Sequence, residues 1–148
     1  MADARDPGPA LVIRRVLPAP PEAVFAAWTH PTSLARWMAF AGAASARLDL
    51  RIGGSFEIVM DGPGKPVVIT GEYLAIDSPT LLVFTWRSAH TGERPTLVTL
   101  LFRPCAGGTD LTLTHAQLPE DAVAPHRAGW GQMLDHLAGH LRDAAPAR

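Results

Sequence analysis

Apolar and polar residues alternate along the middle of the chain, between residues 45 and 116, and short turns interrupt the alternation. The segments ARLDLRI, SFEIVM and VVITGEYLAI are followed by TLLVFTW, TLVTLLF and TDLTLTH. A period of two is typical of strands that bury one face, and short connections favour antiparallel neighbours. The pattern therefore predicts an antiparallel meander of six strands.

Helical spacing predicts the remaining elements. A first strand, ALVIRRVL, precedes two short helices in APPEAVFAAWTHP and PTSLARWM, the first of which has prolines in its first turn. One long helix is predicted over roughly residues 125–143. Its apolar stripe, which should dock on the sheet, consists of Trp130, Met133, Leu134, Leu137 and Leu141.

The chain length and the lack of repeats or linkers predict a single α+β domain. With 148 residues the chain can bury a substantial core as one unit. We expect the domain to span residues 10–143, and we expect residues 1–9 and 144–148 to be flexible ends.

The alternation also assigns a face to each side chain of the meander. Arg51 and Glu57, for example, fall on the outward parity. In the segment 67–76 the two halves disagree, and a β-bulge near Gly71 would reconcile them. The inward face carries Phe56, Ile58, Met60, Leu82, Phe84, Trp86, Val98, Leu100, Phe102, Leu111, Leu113 and His115.

Charge and cysteine content narrow the function classes. A balance of 13 basic and 14 acidic residues gives a net charge of −1, which provides no electrostatic footprint for nucleic acid. The chain has no run of about 18 apolar residues and no signal segment, so we expect neither a membrane span nor secretion. Cys105 is the single cysteine, which excludes an intramolecular disulfide and favours a reducing cytoplasm.

The segment HLAGH places His136 and His140 four residues apart on the long helix. Two imidazoles at this spacing can hold one metal ion. However, Leu137 stands where a zinc-protease helix has its glutamate, and no cysteine or carboxylate joins the pair locally. The favoured interpretation is a pair of histidines at the helix edge, and we expect no metal and no other cofactor.

Two polar residues on inward-facing positions are candidates for ligand contact. Parity places His115 on an otherwise apolar face, where it is either a buried histidine bonded to the backbone or a polar handle for a ligand. Tyr73 has the same two interpretations. The four tryptophans, which should converge in a packed core or a cavity wall, are Trp28, Trp37, Trp86 and Trp130.

The order of these elements, together with specific segments, resembles a known family. APPEAVFAAWTHPTSLARWM, RIGGSFEIVM, GEYLAIDSPTLLVFTW, TLVTLLFRPCAGGTDLTLTH and HRAGWGQMLDHL resemble the START-like (SRPBCC) proteins, specifically the bacterial relatives of the ATPase activator of the ninety-kilodalton heat-shock protein. The resemblance covers roughly residues 10–142. It implies a helix-grip fold, in which a curved antiparallel sheet wraps around a long C-terminal helix, with two short helices after the first strand.

The resemblance also implies a hydrophobic cavity between the sheet and the long helix. The segment RWMAFAGAAS departs from the family pattern, so we expect Met38 and Phe40 to reshape the entrance. The family has no shared catalytic residues to transfer. The predicted ligand-binding residues are Trp28, Trp37, Phe40, Phe56, Ile58, Met60, Tyr73, Phe84, Trp86, Val98, Leu100, Leu113, His115, Trp130, Met133, Leu134 and Leu137.

Three functions remain open at this point. The first is binding of a small hydrophobic or amphipathic molecule, and the second is a cyclase-like or hydrolytic enzyme that uses His115 as general base. The third is a protein-interaction or stress-response module whose cavity is merely core. The 148 residues do not accommodate the separate chaperone-binding domain of the eukaryotic activators, so we do not expect chaperone activation. Homodimerisation through the exposed sheet face also stays open.

Overall fold

A computed structural model describes residues 10–39, 44–61 and 64–144. Of the two ends expected to be flexible, residues 1–9 and 145–148 lie outside the described residues, while Ala144 is the last residue of the long helix. No helix in the described part of the chain is long and apolar enough to cross a membrane. The elements in chain order are β1 (Leu11–Leu17), α1 (Pro21–Thr29), α2 (Pro31–Trp37), β2 (Ala44–Leu48), β3 (Ser55–Met60), β4 (Val67–Asp77), β5 (Leu81–Trp86), β6 (Thr96–Cys105), β7 (Gly108–Ala116) and α3 (Val123–Ala144).

The strands form one antiparallel sheet in the order β1-β7-β6-β5-β4-β3-β2. Strands β2 to β7 follow one another as the predicted meander, and β1 pairs with β7 from Leu11 opposite His115 to Leu17 opposite Thr109. The two short helices lie between β1 and β2 in sequence. Two short 3-10 turns, at Ala89–Thr91 and Glu120–Ala122, were not predicted.

The predicted faces of the sheet and of the long helix are confirmed by burial. Every side chain assigned to the inward parity is buried, and so is the whole predicted stripe of α3. Burial of these aliphatic and aromatic side chains provides the main stabilisation of the fold, at about 25 cal/mol per Å² of apolar surface removed from water. Helix α3 therefore packs its apolar side against the inner face of the sheet.

Two hydrogen bonds fix the position of α2, whose end contributes to the site described below. The indole N–H of Trp37 donates to the carbonyl oxygen of Ala27 in α1 at 3.0 Å. His136 of α3 donates from Nδ1 to the carbonyl oxygen of Trp37 at 3.3 Å. Helix α2 is thus tied to both α1 and α3, and the next residue, Met38, is held in the interior with 1% of its surface exposed.

The predicted bulge near Gly71 is displaced by three residues. Tyr73 pairs with Phe84 and Ala75 pairs with Val83, so Leu74 is the extra residue in β4. Leu74 is consequently turned outward and is 45% exposed. Gly71 is not the bulged residue, because it serves the close packing of β4 against the Phe56 ring and the backbone of β5.

Gly139 lies in the second half of α3, and no neighbouring atom comes within 4 Å of the position that a Cβ would occupy. We expect Gly139→Ala to raise the free energy of unfolding by about 0.5–1 kcal/mol, because alanine restricts the unfolded chain and favours the helix. Urea denaturation of the two proteins measures the difference. A loss of stability would contradict the open surroundings of Gly139.

Candidate functional site

A cleft of about 480 Å³ lies between the first half of α3 and the neighbouring ends of β3, β4 and β5. Its floor is buried and is formed by aromatic, methionine and aliphatic side chains, whereas its rim is exposed and more polar. The volume falls within the usual range of small-molecule sites. The lining residues are Met38, Met60, Val67, Ile69, Trp86, Ser88, His90, Asp121, Ala122, Pro125, His126, Ala128, Gly129, Trp130, Gln132 and Met133.

The cleft exists because the first turns of α3 carry small residues. Ala128 and Gly129 of α3, together with Ala122 of the preceding 3-10 turn, border it and do not extend far enough to fill the space above the sheet. Further along the helix, Leu134 and Leu137 are completely buried and close the gap between α3 and the sheet. The sequence therefore leaves one end of the helix-sheet interface open and packs the other.

His126 supplies a polar group at the rim of the cleft. Its Nδ1 lies 2.8 Å from the carbonyl oxygen of Ala122, which can only accept, so Nδ1 carries the proton. Burial lowers the pKa of His126 below its usual value, and nearby His90 lowers it further, although the bond to Ala122 opposes this. His126 is therefore neutral near pH 7, and its Nε2 makes no hydrogen bond to any described residue.

His115 lies behind the cleft in a closed hydrogen-bond network. The indole N–H of Trp130 donates to His115 Nδ1 at 3.0 Å. The hydroxyl of Thr96 lies 2.7 Å from His115 Nε2 and donates its own proton to the carbonyl oxygen of Trp86 at 2.7 Å. Both ends of the network require the same tautomer, with Nδ1 as acceptor and Nε2–H as donor to Thr96.

This network places His115 away from the position expected for a residue that contacts a ligand or acts on it as a general base. The side chain is fully buried, it does not line the cleft, and both ring nitrogens already have partners within the fold. Burial, with a smaller effect from His126 at a ring separation of 5.2 Å, lowers the pKa of His115 to about 3. His115 is thus a neutral imidazole whose two nitrogens both have hydrogen-bond partners. In this position it orients Trp130, which does line the cleft.

The four tryptophans converge, as predicted. Trp28 packs against Trp37 with ring centroids 4.6 Å apart and against Trp130 at 6.0 Å, and Trp130 packs against Trp86 at 4.8 Å. Around Trp28 the packing is nearly complete, because only a void of about 10 Å³ remains. This space, called the inner void below, is lined by Trp28, Leu34, Met38, Phe56, Ile58, Tyr73, Leu82, Phe84 and Trp86.

The structure divides the predicted ligand-binding residues into three groups. Those that line the cleft are Met60, Trp86, Trp130 and Met133. Those that surround the inner void are Trp28, Phe56, Ile58, Tyr73 and Phe84, and Trp86 borders both spaces. Those that are buried and line neither are Trp37, Val98, Leu100, Leu113, His115, Leu134 and Leu137. Phe40 lies outside the described residues.

Tyr73 belongs to the second group and is almost fully buried. Burial raises its pKa to about 12, so the phenol stays protonated. Its ring packs against Phe56 at 5.5 Å and Phe84 at 6.4 Å. In this position Tyr73 contributes mainly to the packing of the aromatic cluster.

Several residues that line the cleft are absent from the predicted set. Asp121, His90 and Gln132 lie on the rim; Asp121 and His90 belong to the two 3-10 turns, and Gln132 is on the outer side of α3. Their positions depend on tertiary structure and leave no periodic signal. The available signal was the run AVAPHRAG at residues 122–129, whose small residues mark the part of the helix that leaves space.

A second concave region lies on the outer face of the sheet and has a volume of about 610 Å³. It is bordered mainly by charged and hydroxyl side chains of β2 to β5, among them Arg47, Glu57, Thr70 and Thr85. These positions alternate with the inward-facing ones, so they share the solvated side of the sheet. The region lacks the buried aromatic floor of the cleft, which is therefore the stronger candidate for a small-molecule site.

The segment HLAGH carries two histidines at a spacing that can hold a metal ion. Within residues 10–39, 44–61 and 64–144, no group of three or more histidine, cysteine, aspartate or glutamate side chains is arranged to hold a metal ion. His136 bonds to the carbonyl oxygen of Trp37, and His140 is half-buried on the same helix.

A curved antiparallel sheet that grips a long C-terminal helix, with two short helices after the first strand, defines the helix-grip class of proteins, as predicted. Within this class the chain belongs to the family described as activator of Hsp90 ATPase homolog 1-like protein, whose model matches residues 18–142. This match confirms the resemblance to START-like proteins of the activator type.

Several solved structures have the same fold. A protein from Rhodobacter sphaeroides is 28% identical with a TM-score of 0.81, and the alignment covers 94% of this chain and 97% of that one. Protein CV1439 from Chromobacterium violaceum is 28% identical with a TM-score of 0.73, covering 88% and 94%. CalU16 from Micromonospora echinospora is 28% identical with a TM-score of 0.70, covering 88% and 74%. No curated protein matches the chain.

Proposed function

We propose that this protein binds a small amphipathic molecule in the cleft between α3 and the sheet. The observation that carries the proposal is the combination of a buried aromatic floor with a neutral histidine at the rim. Membership of the family adds support for the fold only, because helix-grip proteins serve many functions.

The floor favours a flat or flexible apolar body. Trp86 and Trp130 meet at 4.8 Å with their rings inclined by 48°, and the buried side chains of Met60 and Met133 complete the surface. Aromatic rings give large contact areas at low entropic cost, and methionine adapts to ligands of different shape. An aromatic or polycyclic ligand would remove the most apolar surface from water here.

The rim favours a hydroxyl group on the ligand. His126 keeps its proton on Nδ1 for the bond to Ala122, so Nε2 offers a lone pair to a hydrogen-bond donor. The lowered pKa of His126 maintains this acceptor near neutral pH. A phenol or an alcohol fits this requirement better than a carboxylate, which brings only acceptors.

The position of His115 does not favour the hypothesis of an enzyme that uses this residue as general base. His115 donates from Nε2 and accepts at Nδ1 within the fold, so neither nitrogen can take a proton from a ligand without breaking the network. A binding role requires no such group. We therefore propose ligand binding and assign no reaction.

The proposal predicts saturable binding that depends on the space above Ala128. Tryptophan fluorescence is titrated with fatty acids, hydroxylated aromatic polyketide-like compounds and sterols, because Trp86 and Trp130 form the floor. In the variant Ala128→Phe the added ring occupies the cleft, and we expect affinity to fall at least about ten-fold, which is the loss of about 1.4 kcal/mol of binding free energy.

The matched control is Ala23→Phe. Ala23 is also an exposed alanine in a helix, but it lies on α1 and does not line the cleft. Its affinity for any bound compound should stay within about two-fold of the parent protein. Equal weakening by both variants, or no saturable binding across the panel, would count against the cleft as a ligand site.

A further inference from the structure

Trp28 carries a buried hydrogen-bond donor that has no partner among the described residues. The side chain is 3% exposed, and its Nε1 is fully buried without an acceptor. The indoles of Trp37 and Trp130, in contrast, donate to Ala27 and His115, each at 3.0 Å. Because buried donors in folded proteins are almost always paired, an exception of this kind requires an explanation.

Trp28 borders the inner void, whose volume of about 10 Å³ is close to the smallest that can hold one water molecule. Leu34, Ile58 and Phe84 are among the other lining residues, and Tyr73 and Trp86 are the ones whose side chains carry an oxygen or nitrogen atom. No charged side chain borders this space. The surroundings therefore suit a neutral oxygen atom rather than an ion, because an unpaired charge is strongly disfavoured in an apolar interior.

The inner void and the cleft share two side chains, Met38 and Trp86. These two residues form the partition between the spaces. Trp86 is held on its strand and packs against Trp130, whereas Met38 has three rotatable side-chain bonds and follows the last residue of α2. Met38 is therefore the more adaptable side of this partition, because methionine changes rotamer readily.

We propose that the cleft extends past Met38 into the inner void, where the indole N–H of Trp28 donates a hydrogen bond to a neutral carbonyl oxygen of the ligand. This inference rests on the proposed function, since it concerns a ligand that already lies in the cleft. It adds a chemical class: an aromatic or polycyclic ketone or quinone, with any hydroxyl group directed to His126. An indole N–H can only donate, so the partner atom must be an acceptor.

The test uses two compounds of nearly equal shape, 2-acetylnaphthalene and 2-ethylnaphthalene. We expect the ketone to bind about five-fold more tightly, the gain typical of one hydrogen bond to a buried donor. The variant Trp28→Phe, which removes the N–H but keeps an aromatic ring, should bind the two compounds equally. The matched control Trp86→Phe, which alters the partition but not this donor, should weaken both compounds and keep the preference for the ketone.

A second measurement does not depend on the stability of the variants. In a nitrogen-15 spectrum of the parent protein, each of the four tryptophans contributes one indole signal, and Trp28→Phe identifies the one that belongs to Trp28. The Trp28 signal should move downfield with the ketone and should move less with the hydrocarbon. Equal affinities in the parent protein, a ketone preference that survives in Trp28→Phe, or an unmoved Trp28 signal would each overturn the inference.

These results separate the two proposals. If both naphthalenes bind without preference, the inner void holds at most a water molecule, and the cleft remains a ligand site. If neither compound binds, the inner site is rejected, while the titration of Ala128→Phe and Ala23→Phe with the wider panel decides on the cleft itself.

Discussion

Replacing His115 by alanine is expected to lower the free energy of unfolding by roughly 4 kcal/mol. The change removes a fully buried ring and leaves a cavity between β7 and α3. It also leaves the indole N–H of Trp130 without its acceptor, and an unsatisfied buried donor costs about 1–3 kcal/mol by itself. Urea denaturation at pH 7, followed by circular dichroism, measures the loss.

The variant His115→Gln separates the hydrogen bonds from the packing. A glutamine offers one oxygen to accept from Trp130 and one amide group to donate to Thr96, in the manner of the neutral imidazole. We expect it to recover about half of the stability lost in His115→Ala. If the two variants were equally unstable, the network would contribute nothing beyond the volume of the ring.

The same histidine should make the stability of the fold depend on pH. Its pKa is about 3 in the folded protein and near 6.5 in the unfolded chain, so between these values the unfolded state binds more protons. Stability is therefore fully present above about pH 6.5 and is lost as the pH falls through 3, by roughly 5 kcal/mol in total. His126, whose pKa is also lowered, acts in the same direction.

Denaturation curves at intervals from pH 7 to pH 4 check this expectation. The free energy of unfolding of the parent protein should fall steadily over this range. In His115→Gln it should fall less steeply with decreasing pH, because one of the two histidines no longer titrates. Identical slopes would show that another group controls the acid sensitivity of the fold.

Most of the fold could be predicted because burial leaves a periodic signal. Phe84 and Trp86 on β5, or Leu134 and Leu137 on α3, occupy positions that repeat with the period of their element. The bulge lies three residues beyond the predicted position, because the extra residue is Leu74 and not a glycine. Leucine carries no local signal for a bulge, and the shift follows from the pairing of β4 with its neighbours on both sides.

The candidate site was less predictable, since facing inward does not decide whether a side chain borders a space or fills one. Val98 and Met60 share the inward parity, yet Val98 is packed in the core and Met60 lines the cleft. The difference depends on the partner across the interface. Where α3 borders the cleft it carries Ala128 and Gly129, whereas further along it carries leucines that pack against the sheet.

The role of His115 depended on partners that are distant in sequence. Thr96 is 19 residues away and Trp130 is 15 residues away, and only the folded chain shows that both contact the same ring. The sequence supported a buried histidine and a ligand handle together. In the folded chain both nitrogens bond to side chains rather than to the backbone, which favours the buried histidine.

Replacing Gly71 by alanine is expected to destabilise the fold by about 3 kcal/mol or more, for a reason different from that at His115. Gly71 pairs with Phe56 of β3, and a Cβ at this position would overlap with the Phe56 ring and with the carbonyl oxygen of Thr85 in β5. The ring could turn away, but the carbonyl belongs to the backbone of a neighbouring strand. Overpacking against fixed atoms forces the strands apart.

The size of the Gly71 effect can be divided between its two contacts. In the double variant Gly71→Ala with Phe56→Leu, the smaller side chain relieves one overlap, so the combined loss should be less than the sum of the single losses. Gly139→Ala is the matched glycine control, because it has open surroundings and should stabilise. Thermal and urea unfolding of these variants gives the comparison. If the free energy of unfolding of Gly71→Ala were within about 0.5 kcal/mol of the parent value, β4 and β5 could separate without a loss of stability. The close contact between Phe56 and Gly71 would then not contribute to the stability of the inner aromatic cluster.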